Sequence, residues 1–156
     1  METLMVIEKV KTAQPTTGKR ELVIEKIEVG EWVRQGDIYI MRLPDVLDVV
    51  FKGSRVFKGS SHVEIAPGHT PKAESEELLF GVSLSWAKNT SKTKEGKKFL
   101  QDLEVQHKSG VIFKSLSRWE IPHEEHAKLV MPPGTYLGWP QTEVDPLTGQ
   151  ERQVLD

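Results

Sequence analysis

Short runs of β-branched and aromatic residues, each closed by a glycine, proline, serine or lysine cluster, recur along the chain and constrain it to a β-rich fold. Residues 21–29 read Glu-Leu-Val-Ile-Glu-Lys-Ile-Glu-Val and residues 34–43 read Arg-Gln-Gly-Asp-Ile-Tyr-Ile-Met-Arg-Leu, and both predict strands. The breaks at Gly30-Glu31-Trp32 and Gln35-Gly36-Asp37 let these runs pair as neighbours or flank a corner. Pro44 ends the second run, and shorter strand candidates follow at 46–51, 55–57, 62–65, 78–86, 99–106 and 111–116. Many short strands at turn spacing predict a mainly β fold, a single compact β-barrel or β-sandwich. Helix signals are confined to 71–80 and 122–126, where proline suits a first helical position and acids suit the positive end of the helix dipole. At most one or two short helical turns are expected.

A chain of 156 residues is long enough to bury one core without disulfides, so a single domain over 1–156 is expected. Within it, residues 1–20 read as an extended leader or edge strand and 88–98 as a Lys-rich hairpin loop. With 37% hydrophobic and 28% charged residues and a formal charge of -2, the composition excludes wholesale disorder. No apolar run approaches the roughly 18 residues that cross a bilayer, and acids stand where a signal peptide carries bases. The expectation is a soluble, cytoplasmic protein with no membrane partner. The absence of cysteine excludes disulfides, thiolate metal sites and thiol nucleophiles, so any metal would need His, Asp or Glu.

The densest chemistry lies at His123-Glu-Glu-His126. Two side chains three residues apart share a face on a helical turn and oppose each other on a strand, so only a helical turn lets both imidazoles approach one ion. A mononuclear site would need a third ligand, with His62, Glu64 or His69 as donors. The structural alternative is a solvated turn whose histidines bond to backbone or to neighbouring carboxylates. The metalloprotease spacing is absent, which excludes that class. Gly59-Ser-Ser-His62 and Pro67-Gly-His69 place histidines after small residues, either as ordinary hairpin turns or as nests for an anion.

Lys88, Lys92, Lys94, Lys97 and Lys98 form the one marked charge cluster, a candidate anion or nucleic-acid loop. It lacks arginine and any aromatic that could stack on a base, so a solvated loop is the competing reading. Trp32, Trp86, Trp119 and Trp139 read as core or rim residues. Pro132-Pro-Gly134 fixes a turn, 135–139 resumes an extended run, 145–149 turns back and 151–155 forms a last strand, which predicts a terminal hairpin tucked into the sheet.

His123-x-Glu125-His126, Leu129, Pro132-Pro-Gly-Thr-Tyr136, Gln141, Asp145-Pro146, Gly149 and Arg152-x-Val154-x-Asp156 together resemble the ending of a family of small bacterial and bacteriophage proteins with no established activity. The likeness extends to Gln35-Gly36-Asp37-Ile-Tyr-Ile and Gly-Ser-Ser-His62, about half the chain. It implies a shared small fold and a common histidine-bearing site at His62, His123, Glu125 and His126. A phage-associated role is a further expectation; a phage-encoded protein would reside in the virion or host cytoplasm.

Three functions follow as expectations. The leading one is a non-catalytic binding or assembly protein with a protein partner or self-association and no cofactor. The alternative is a metal-dependent or acid-base enzyme built on His62, His123 and His126 with a divalent transition metal. The third is a weak nucleic-acid binder acting through the lysine cluster.

Overall fold

The computed structural model describes residues 11–12, 21–51, 64–107, 110–144, 147 and 151–153. Its first strands are β1 (Lys11–Thr12), β2 (Glu21–Val23), β3 (Trp32–Gln35) and β4 (Ile38–Leu43). After β5 (Lys72–Ala73), a 3-10 turn at Glu76–Leu78 leads into β6 (Leu79–Ser83), helix α1 (Leu84–Thr90) and helix α2 (Lys94–Gln106). The chain then runs through β7 (Val111–Ser115), β8 (Trp119–Ile121), β9 (Lys128–Met131), β10 (Gly134–Pro140), β11 (Thr142–Val144) and β12 (Glu151–Gln153). None of the described helices is long and apolar enough to cross a membrane.

The fold is mainly β, and its sheets are open, so it is sandwich-like rather than a barrel. One sheet has the order β1-β3-β4-β10-β7-β6 and the other β2-β9-β8-β5. The terminal hairpin forms as expected, with Val144 opposite Glu151, yet β11 and β12 make a two-stranded ladder of their own rather than joining either sheet. The strand that bridges the two halves of the large sheet is β10, paired on one side with β4 and on the other with β7.

Both faces of the large sheet are covered, which is why its central strands read as nearly continuous apolar runs. Ile38 and Ile40 of β4, Val111 and Phe113 of β7 and Tyr136 of β10 meet Trp119, Ile121, Leu129 and Met131 of the small sheet. On the opposite face Met41, Leu43, Ile112 and Leu137 pack against Leu84, Ala87, Leu100 and Leu103 of the two helices. The small sheet turns its other face to solvent, where Lys128 pairs with Glu21 at 2.8 Å and Glu120 at 3.4 Å. Its hydrogen bond to Glu21 holds the Lys128 amine above its usual range.

The helical layer corrects the expectation for residues 78–106. Residues 78–86 do not form one strand: β6 stops at Ser83, whose hydroxyl accepts the Trp86 amide at 3.1 Å and caps α1. Residues 88–98 are not a hairpin loop and 99–106 are not a strand. Thr93 caps α2 by accepting the Gly96 amide at 3.0 Å, and Leu100 and Leu103 are its buried leucines. Asp48 supplies the long-range part, accepting the Lys92 amide at 2.6 Å, the Ser91 hydroxyl at 2.9 Å and the Thr93 amide at 3.2 Å. Burial pushes the Asp48 carboxyl up, but these donors together hold it below the ordinary carboxylate range.

Other boundaries also shift. Strand β2 covers only the start of the 21–29 run, and 46–51 carries no strand; Leu47, Val49 and Phe51 instead pack on the helical-side core. The 34–43 run is split, because Gly36 takes φ 57 while no other residue type in the described chain has positive φ. Gln35 and Ile38 pair across Gly36-Asp37, a two-residue connection with glycine first, which suits a type II′ turn. The 122–126 segment is a bend rather than a helical turn, and the candidate at 55–57 lies outside the described residues.

At the end of α2, His107 lies against Trp139 with ring centroids 4.0 Å apart, and burial pushes its imidazole below the ordinary range. The unfolded chain therefore binds that proton better than the folded one. Stability carried by neutral His107 is complete above about pH 6.5 and is lost as pH falls through the lowered folded value. Urea denaturation at pH 7.5 and pH 5 should show wild type losing more stability than His107→Gln, whereas parallel losses would remove His107 as the cause.

Candidate functional site

Three loops meet at one end of the sandwich, and each has a local reason to be there. The β3–β4 turn delivers Asp37. Ala66-Pro67-Gly68-His69 is a second tight turn, closed by the His69 amide donating to the Ala66 carbonyl at 2.9 Å, with Gly68 at φ 84. Proline followed by a positive-φ glycine is the type II arrangement. It is seated on the large sheet because Gly138 has no side chain; a Cβ there would stand 2.7 Å from Ile65 Cδ1. The third loop is the 122–126 bend between β8 and β9, which begins where Pro122 ends the strand.

The centre of the site is His69, 1% exposed. Gln35, also fully buried, donates its amide nitrogen to the Ile121 carbonyl at 2.8 Å and the Ala127 carbonyl at 2.9 Å. That fixes the orientation of the amide and turns its oxygen toward His69 Nδ1, 2.9 Å away. Nδ1 must therefore carry a proton. Nε2 lies 3.0 Å from Asp37 Oδ1, so the ring faces an acceptor at both nitrogens.

His123 lies over His69, with ring centroids 4.4 Å apart and planes inclined by 25°. Its Nδ1 accepts the backbone amides of Glu125 and His126, each at 3.1 Å. The side chain thus pins its own bend, as an aspartate or asparagine does in an Asx turn. His126 follows, with its ring centroid 4.7 Å from that of His123. The imidazoles do converge, but through a helix-free bend and as neighbouring ring planes.

An open depression of about 710 Å³ faces this cluster. Pro67, Gly68, Pro122 and His123 line it together with the buried Asp37 and the exposed Glu124 and Glu125. Among the described residues no serine, threonine or lysine lines it. Among the described residues, no group of three or more His, Asp or Glu could hold a metal ion. Of the residues singled out from sequence, His123 and Glu125 line the depression, His69 and His126 sit next to His123, and Glu64 is exposed away from it. His62 lies outside the described residues. Lys88 pairs with Glu104 at 2.6 Å, and Lys92, Lys94, Lys97 and Lys98 stand exposed around the start of α2.

Gln35 and Asp37 belong to the site, whereas in sequence they read as a break between strands and as part of the family likeness, not as site residues. A signal was present: Gln35 is two residues from Val33 on β3, so alternation puts a polar side chain on the core-facing side. Replacing it with leucine leaves two carbonyls and the His69 Nδ1 proton without partners. Gln35→Leu should cost roughly 3 kcal/mol or more in urea denaturation; a loss below about 1 kcal/mol would show that these bonds do not hold the loops together.

No family model, curated protein or solved structure matches the chain.

Proposed function

We propose that the protein is a non-catalytic binding module whose partner docks in the depression between the 66–69 turn and the 122–126 bend. The observation that carries this reading is the buried Gln35-His69-Asp37 network, with Asp37 reaching the lining of an open cavity. Burying such groups costs desolvation energy, offset only when each is hydrogen-bonded, and the result is a floor with one fixed geometry. A preformed floor lowers the entropic cost of binding. The imidazole nitrogens are used to build that floor: both of His69 face protein acceptors, and His123 Nδ1 serves the backbone.

One feature favours a second reading, acid-base chemistry. Because His123 Nδ1 accepts two amides, a neutral ring carries its proton on Nε2, the nitrogen facing Gly68 on the cavity wall. A general acid at that position is the form in which the enzyme alternative survives. The metal form of that alternative depends on His62.

A fragment screen followed by amide NMR tests both. Ligands should perturb Gly68, His69 and 123–126, remain unchanged over days, and bind at least about fivefold more weakly to His123→Asn. Asparagine keeps an acceptor for the Glu125 and His126 amides, so the bend survives while the ring is lost. Turnover of a fragment by wild type and not by His123→Asn would replace the binding reading with the acid-base one. Hits that perturb only other surfaces would remove the site altogether.

A further inference from the structure

Beyond the binding reading, and on a surface none of whose residues lines the depression, we infer that the protein self-associates as a two-fold dimer through antiparallel pairing of β6 with β6 of a second copy. Strand β6 is the last strand of the large sheet; it pairs with β7, and among the described residues no strand lies on its other side. The amide of Leu84 donates to the Gly110 carbonyl at 3.0 Å, and that of Leu116 to the Leu78 carbonyl at 2.9 Å. Both pairs continue the register of β6 on β7, so the even-numbered residues of β6 spend their backbone groups on β7. Leu79, Gly81 and Ser83 therefore turn theirs outward. Such an edge is a template for another strand unless a charge, a proline or a bulge blunts it, and Leu79-Phe80-Gly81-Val82-Ser83 has none of these.

The edge is complementary to itself, which selects a second copy over an unrelated strand. With the two-fold axis at Gly81, that residue meets its own counterpart and Leu79 meets Ser83, so every outward residue faces an outward residue of the other copy. On the face toward the small sheet, Gly81 puts no side chain at the axis, which lets the two backbones approach closely. On the other face Phe80, 40% exposed beside the Phe51 ring at a centroid distance of 6.1 Å, is brought against the second strand. The position opposite it is Val82, and aromatic and β-branched neighbours of this kind stabilise a ladder. An isologous pair uses both open edges at once, so growth stops at the dimer.

Sedimentation velocity of the full chain from roughly 10 µM to 1 mM tests the inference. The wild type should convert from monomer to dimer across that range and form nothing larger. Gly81→Pro removes an outward N–H and leaves the β7 ladder intact, and Phe80→Lys puts a charge on the edge. Each should weaken dimerisation at least about tenfold and melt within a few degrees of dilute wild type. Phe80→Lys, which changes an exposed side chain and keeps an apolar stem beside Phe51, decides the matter if Gly81→Pro fails to fold. Amide hydrogen exchange at Leu79, Gly81 and Ser83 gives a second readout: protection should rise with protein concentration and be absent in dilute samples. A monomer at every concentration, growth beyond the dimer, or a dimer that both variants leave intact overturns the inference. Protection of these three amides in the monomer also overturns it, because an element of the same chain then covers the edge.

Discussion

Gln35 is the point on which the molecule turns. Its amide reaches the carbonyls of Ile121 and Ala127, where β8 ends and β9 is about to begin, and its oxygen reaches His69. One side chain thus joins the large sheet, the small sheet and the 66–69 turn. Apolar packing between the sheets is strong but non-directional, and many lateral offsets would bury similar area. Directional bonds from a fully buried amide select one offset, because any other leaves carbonyls unpaired in a dry interior.

The site follows from that selection. With the sheets fixed, the Pro67-Gly68 turn drops His69 between Gln35 and Asp37, and Gly138 leaves space for Ile65 behind it. His123 then lies on His69 while its Nδ1 holds the bend that carries Glu124 and Glu125. Each polar group in the sequence Gln35, His69, His123 supports the next. The depression is consequently a feature of the core as much as of the surface.

Much of this was legible in the chain, and the failures have physical causes. The β-rich class, the strands at 38–43 and 111–115, the terminal hairpin and the tight turn at Pro67-Gly68 all follow from alternation and turn chemistry. The helical layer was hidden because Lys94, Lys97 and Lys98 mark charge more loudly than helix, although Leu100 and Leu103 lie one helical turn apart. The long-range support for that layer, Asp48 holding the Ser91-Lys92-Thr93 segment, lies more than 40 residues upstream in sequence. At the site, His123 and Glu125 stood out by composition, and His69 was named as a ligand donor and as a turn or anion-nest residue. Gln35 and Asp37 were read as a turn and as part of the likeness but not as site residues, because a Gln-Gly-Asp turn is ordinary on a surface; only the fold buries it. The helical-turn geometry expected for His123 and His126 gave way because the ring itself caps the backbone.

The most direct measurement is the protonation of the His69 ring by long-range proton-nitrogen NMR on ring-labelled protein at neutral pH. A ring held between the Gln35 oxygen and Asp37 should show a protonated, slowly exchanging Nδ1, and that slow exchange should disappear in Gln35→Leu. An Nδ1 without a proton, or one exchanging as freely as in a solvated histidine, would contradict the network on which both the fold's offset and the site depend.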